Sequence, residues 1–114
     1  MNKKLSDAEF QTKSEEAISQ LDKAYSKLAD QRDIDVEVQG SVLSITFEEG
    51  EPGKFIVSPN SSAGQVWVSA RVASYKFDWS DEANGFVLAG TNEPIKTVMQ
   101  RLTQEQLGDE EVEL

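Results

Sequence analysis

At 114 residues the chain has the length of one domain with one core. Its formal charge of −10, from 21 acidic and 11 basic residues, works against nucleic acid and anionic membranes, whose phosphates call for a basic footprint. It holds no cysteine and no histidine, which excludes disulfides, thiolate nucleophiles, Cys-ligated zinc and Ser-His-Asp catalysis.

Any metal must therefore be held by oxygen ligands, which favours hard cations such as Fe, Mn, Mg or Ca. The acidity suits cations or a basic protein partner, although on the plainer reading it serves only solubility. No run approaches the ~20 apolar residues that cross a bilayer. The start, Met1-Asn2-Lys3-Lys4-Leu5, lacks the apolar region of a signal peptide. The expected compartment is the cytoplasm, or the mitochondrial matrix for a processed eukaryotic form.

Ser6-Asp7-Ala8-Glu9 has the form of a capping box. Phe10, Ala17, Ile18, Leu21, Tyr25 and Leu28 follow at helical spacing, so the first element is a helix ending near Asp30. Asp33-Ile34-Asp35-Val36-Glu37-Val38 alternates strictly. A strand there sends Ile34, Val36 and Val38 into the core and sets Asp33, Asp35 and Glu37 ~6.5–7 Å apart on the other face. A turn at 39–41 leads to a second strand, 42–47, with Leu43, Ile45 and Phe47 inward. Breakers at 48–53 precede a third strand over 54–58, around Phe55 and Val57. Residues 59–64 read as a loop.

The stretch 65–79 reads as a hairpin that carries both tryptophans. Val66 and Val68 face one way in its first strand, and Gln65, Trp67 and Ser69 the other. Tyr75, Phe77 and Trp79 share a face in its second strand, with Lys76 and Asp78 opposite. Trp67 is thus either covered by another part of the chain or exposed for a partner. A short strand, 86–88, follows. Then a second helix, capped by Thr91 or Asn92 with Pro94 in its first turn, presents Ile95, Val98, Met99 and Leu102. The tail from about residue 108 is acidic. It frays, or Val112 and Leu114 dock between the helices. Helix, about six strands, helix predicts an α+β two-layer sandwich over residues 1–114, its antiparallel sheet covered on one face by both helices.

Two constellations stand out. Asp22 and Asp30 on the first helix, with Asp33, Asp35 and Glu37 on the first strand, are placed to form one ridge at the sheet edge. Solvated carboxylates of this kind bind hard cations weakly, whereas a tight site needs six to eight converging oxygens. The plainer alternative is a solvated edge that blocks sheet-to-sheet pairing. Trp67 beside Gln65 is the second: a protein-binding hot spot, or an indole capped by residues 59–64. No phosphate loop, nucleophile elbow or dry cleft for paired carboxylates is evident.

Asp33-Ile34-Asp35-Val36-Glu37, Val42-Leu43-Ser44-Ile45-Thr46-Phe47, Gln65-Val66-Trp67-Val68 and Tyr75-Lys76-Phe77-Asp78-Trp79 together resemble the frataxin family, in an order and spacing that run from Phe10 to about Leu102. The resemblance implies an iron-binding accessory protein of iron–sulfur cluster assembly. Such a protein acts with a cysteine desulfurase and a scaffold protein, without a catalytic residue of its own. By position the iron ligands would be Asp22, Asp30, Asp33, Asp35 and Glu37, binding Fe2+ or Fe3+ weakly. Gln65, Trp67 and Ser58 would meet the scaffold, and the acidic ridge a basic patch on the desulfurase. The form expected is a monomer, with an iron-dependent oligomer as the alternative.

Some positions depart from the family. Lys23, Ser26 and Lys27 stand where the helix ridge is usually acidic, which implies weaker iron binding. Ser58 replaces a usual Asn and Ser62 a usual Pro. Ala73 and Ser74 replace a glycine-containing turn, and Phe86 stands where a third tryptophan is common. The alternatives in function are an acidic interaction module without a physiological metal and a ferroxidase or iron store. A ferroxidase of the di-iron bundle type would need Glu-x-x-His pairs, which the sequence lacks.

Overall fold

The computed structural model describes residues 5–114. Ser6 caps helix α1 (Asp7–Ala29): its hydroxyl accepts from the Glu9 N–H and the Glu9 carboxylate accepts from the Ser6 N–H, each at 3.2 Å. The apolar stripe buries Phe10, Ile18, Leu21, Tyr25 and Leu28, and Asp30 is the C-cap. Six strands follow: β1 (Ile34–Gln39), β2 (Val42–Phe47), β3 (Gly53–Asn60), β4 (Gln65–Ala70), β5 (Ala73–Ser80) and β6 (Gly85–Leu88). They form one antiparallel sheet in chain order, because each short turn returns the chain beside the strand it has just left. Helix α2 (Ile95–Leu107) closes the fold. α1 lies over β1 and β2, and α2 over β6. This is the expected α+β sandwich with both helices on one face.

Period-two alternation supplies the helix-facing side. Leu43, Ile45, Phe47, Phe55, Val57, Val66, Val68 and Phe77 are all at most 1 % exposed. Phe47 and Phe55, neighbours on adjacent strands, bring their rings to 4.6 Å. Phe86 meets Phe10 and Trp79 edge-on, at 5.9 and 5.4 Å. One buried polar bridge joins the helices. The Thr103 hydroxyl donates to the Met99 carbonyl at 2.7 Å, so at 2.8 Å it accepts from Tyr25 O–H. Burial raises the Tyr25 pKa well above the ordinary tyrosine range.

Four local expectations need correction. Val38 alternates correctly but is 42 % exposed. A recess of about 270 Å3 remains between it and α1, which lines that recess with Ser14, Glu15, Ile18, Ser19 and Asp22. β3 runs to Asn60 because Pro59 and Asn60 pair with Val66 and Gln65. The β4–β5 turn is Arg71-Val72, with Arg71 at φ 54°, so Ala73 and Ser74 belong to the strand. Neither Thr91 nor Asn92 caps α2, whose N-cap is Pro94. The Leu88 N–H bonds to the Glu93 carbonyl, and Val87 bridges to Pro94. That pairing holds residues 93–94 extended along β6, so the helix starts only after Pro94.

The tail docks. Val112 is 5 % exposed within the core cluster and Leu114 packs against that cluster. The side-chain amide of Gln104 donates to the carbonyls of Glu110 and Val112, and the Leu114 N–H donates to Gln100 Oε1.

Candidate functional site

Both helices cover one side of the sheet, so the residues between the buried positions face solvent. Cross-strand register then decides which of them meet. Trp67 on β4 lies directly between Ser58 on β3 and Lys76 on β5, and Gln65 lies between Asn60 and Asp78. The Trp67 indole N–H donates to Gln65 Oε1 at 2.9 Å, and the Gln65 amide nitrogen donates to Asp78 Oδ1 at 2.9 Å. Lys76 Nζ sits 5.0 Å from the centroid of the Trp67 ring, a cation–π distance. Trp67 remains 37 % exposed. Residues 61–64 form a tight turn instead of a lid, with Asn60 Oδ1 accepting from the Ala63 N–H. The indole is therefore both oriented and presented. Asp78 and Lys76 belong to this unit, where alternation alone puts them only on the face. The two-residue turn that sets 65 opposite 78 was the available signal.

The acidic candidates occupy three places. Asp35 and Glu37 are exposed on β1, opposite Thr46 and Ser44, on the same uncovered face as Trp67 but at the sheet edge. Asp30 and Asp33 flank the α1–β1 link, where the Asp33 carbonyl accepts from the Glu48 N–H. Asp22 lies two turns back on α1, accepts from Ser26 Oγ at 3.3 Å, and borders the recess beneath Val38. Among the described residues no three carboxylates are gathered so that they could hold one metal ion.

An ion-pair cluster invisible in the sequence fixes the same corner. Arg32 Nε donates to both oxygens of Glu49, at 2.9 and 3.0 Å, and Nη2 also reaches Glu49. Nη1 donates to Asp109 Oδ2 at 2.7 Å, and the Asp33 N–H adds a bond to Glu49 at 3.3 Å. Glu49 is held below the usual carboxylate range by Arg32 first and the Asp33 N–H second. Asp109 is lowered by the Glu111 N–H and then by Arg32. A lowered carboxylate contributes stability that is present above its unfolded pKa and lost as pH falls through the folded value. Urea midpoints of the wild type are expected to fall as the pH drops below the ordinary carboxylate range of about 4. The fall should be shallower in Arg32→Gln, and parallel profiles would remove the cluster from the acid response.

The chain is thus a small α+β body with a polar–aromatic sheet face and an acidic margin. The chain matches the model of the frataxin-like domain over residues 3–109. It belongs to the frataxin-like family. It is 39 % identical over 82 residues to the iron–sulfur cluster assembly protein CyaY of Pseudomonas aeruginosa, covering 71 % of this chain and 72 % of that relative. It is 26 % identical over 107 residues to the CyaY of Pseudomonas entomophila, covering 92 % of each. The structure of the frataxin from Psychromonas ingrahamii superposes with a TM-score of 0.65 over 92 % of this chain and 94 % of that one, at 20 % identity. That likeness establishes the fold.

Proposed function

We propose that the protein is an accessory factor of iron–sulfur cluster assembly that docks on a cysteine desulfurase–scaffold complex and carries weakly held iron. The observation that carries the reading is the exposed, hydrogen-bonded Trp67 on an uncovered sheet face, in a chain akin to proteins named for that assembly. The open face, with Gln65, Trp67 and Ser58, meets the scaffold. The acidic margin meets a basic patch on the desulfurase, which makes association faster and salt-sensitive.

Iron is cargo in this reading. Asp22, Asp30, Asp33, Asp35 and Glu37 are spread from α1 through the α1–β1 link to β1, so each ion meets one or two carboxylates and keeps much of its water. Such ions exchange readily, which suits delivery and does not suit storage. A proton–nitrogen NMR titration with Fe2+ is expected to broaden the α1–β1 edge selectively. A variant with Asp33→Asn, Asp35→Asn and Glu37→Gln should lose that broadening. If the variant behaves as the wild type, the ridge has no part in iron binding. The dispersal of the carboxylates favours a second reading, an acidic docking module without physiological metal, and that reading predicts no localised effect of Fe2+.

The partners are tested separately. Immobilised protein is expected to retain both desulfurase and scaffold at low salt and release them as ionic strength rises. Absence of both from the bound fraction would end the assembly assignment.

A further inference from the structure

The helix layer leaves a second surface open. A groove follows α1 over residues 13–27, about 21 Å of helix at 1.5 Å per residue. The start of α2 and the β5–β6 turn form its other wall, and it encloses about 670 Å3. Ala17, Ala24, Ile95 and Leu114 give it apolar lining. Its rim is cationic. Lys13, Lys23, Lys27 and Lys96 border it, four of the six lysines among the described residues, Lys54 and Lys76 being the others. Glu16 is the one carboxylate-bearing side chain among the lining residues. No salt bridge ties any of the four lysines to a carboxylate among the described residues. Lys13 instead stands 5.2 Å from the centroid of the Trp79 ring.

This concentration runs against a net charge of −10. Screening at physiological salt acts over about 8 Å, so the lysines set the local sign along α1 and the start of α2, while Glu111 and Glu113 of the tail border Lys27 at one end of the groove. A ligand confined to the groove meets the lysines. A long polyanion would extend past them onto an acidic body. We propose that the groove docks a short acidic amphipathic helix of a partner protein, with its apolar side chains on the floor and its carboxylates toward the four lysines. The groove length corresponds to about 14 residues of such a helix. It lies in the helix layer, away from the sheet face that carries Trp67, so both surfaces can be occupied at once. The proposal does not depend on the cluster-assembly reading.

The probe is a synthetic peptide of about 14 residues with Leu at positions i, i+3, i+4 and i+7 and Glu between them. Titrated into the 15N-labelled protein, it is expected to shift residues of α1 from 13 to 27 and the first turn of α2, leaving β4 unmoved. Changing Lys23, Lys27 and Lys96 together to Gln should weaken binding about tenfold, since exposed ion pairs are individually small. A peptide with Lys in place of Glu should not bind. The proposal is overturned by the absence of saturable shifts in the unaltered protein, or by shifts centred on the open sheet face. Equal affinity for the triple variant overturns it too, as does tighter binding of phosphatidylglycerol vesicles or a single-stranded oligonucleotide at the same residues.

Discussion

Replacing Trp67 by alanine is expected to weaken association with the desulfurase–scaffold complex by about 30-fold or more, the effect of losing a hot-spot residue contributing ~2 kcal/mol. Three features make this side chain the anchor. Its indole N–H is fixed on Gln65, and Gln65 is fixed on Asp78. Lys76 steadies the ring from the neighbouring strand. The side chain therefore has little rotamer freedom left to lose when a partner arrives. Its exposed position means that truncation removes cross-strand contacts worth roughly 0.2–1 kcal/mol and creates no core cavity. Docking and folding should thus separate, with affinity falling sharply and the thermal midpoint moving little. Lys76→Gln, which keeps the indole but removes the cation, should give an intermediate loss. Affinities measured by calorimetry at fixed salt decide the matter. Unchanged binding by Trp67→Ala would move the interface off this face.

What the sequence made legible was periodic or contiguous. The α1 cap rests on residues three apart. The faces of β2, β3, β4 and β5 follow from alternation alone. Trp67 was locatable because it breaks the polarity of its own face. The features that escaped depend on contacts between distant segments. The partners of Arg32 lie 17 and 77 residues away, and those of the Tyr25–Thr103 bridge 78 apart. No local pattern marks such pairs. Alternation puts Val38 on the core side, but burial depends on what lies above, and α1 leaves an open recess there. The expected α2 cap failed for a related reason. Thr91 accepts from the Glu93 N–H in a turn of its own, and pairing along β6 outcompetes an early helix start. Alternation and the helix axis divide the carboxylate candidates between the helix, the link and the strand, and no three of them gather among the described residues.

Placing aspartate at Val112 should lower the thermal midpoint by about 10 °C, and the reasoning turns on how the tail is held. Val112 sits in the core cluster against the helix layer, and burying a valine is worth roughly 1.5–3 kcal/mol. A carboxylate there cannot stay charged without a partner, and the tail has a cheaper response than distorting the core, which is to leave. The cost is therefore capped at the free energy of docking, and ~2–3 kcal/mol in a chain of this length corresponds to a shift of this size. Undocking also releases the Gln104 amide from the Glu110 and Val112 carbonyls and the Leu114 N–H from Gln100. These contacts form one unit, so Leu114→Asp added to Val112→Asp should cost almost nothing further, a failure of additivity that isolated surface sites do not show. Val112→Ile, which keeps the apolar contact, should leave the midpoint near that of the wild type. A thermal midpoint unmoved by Val112→Asp would mean that the tail contributes nothing to holding the two helices together.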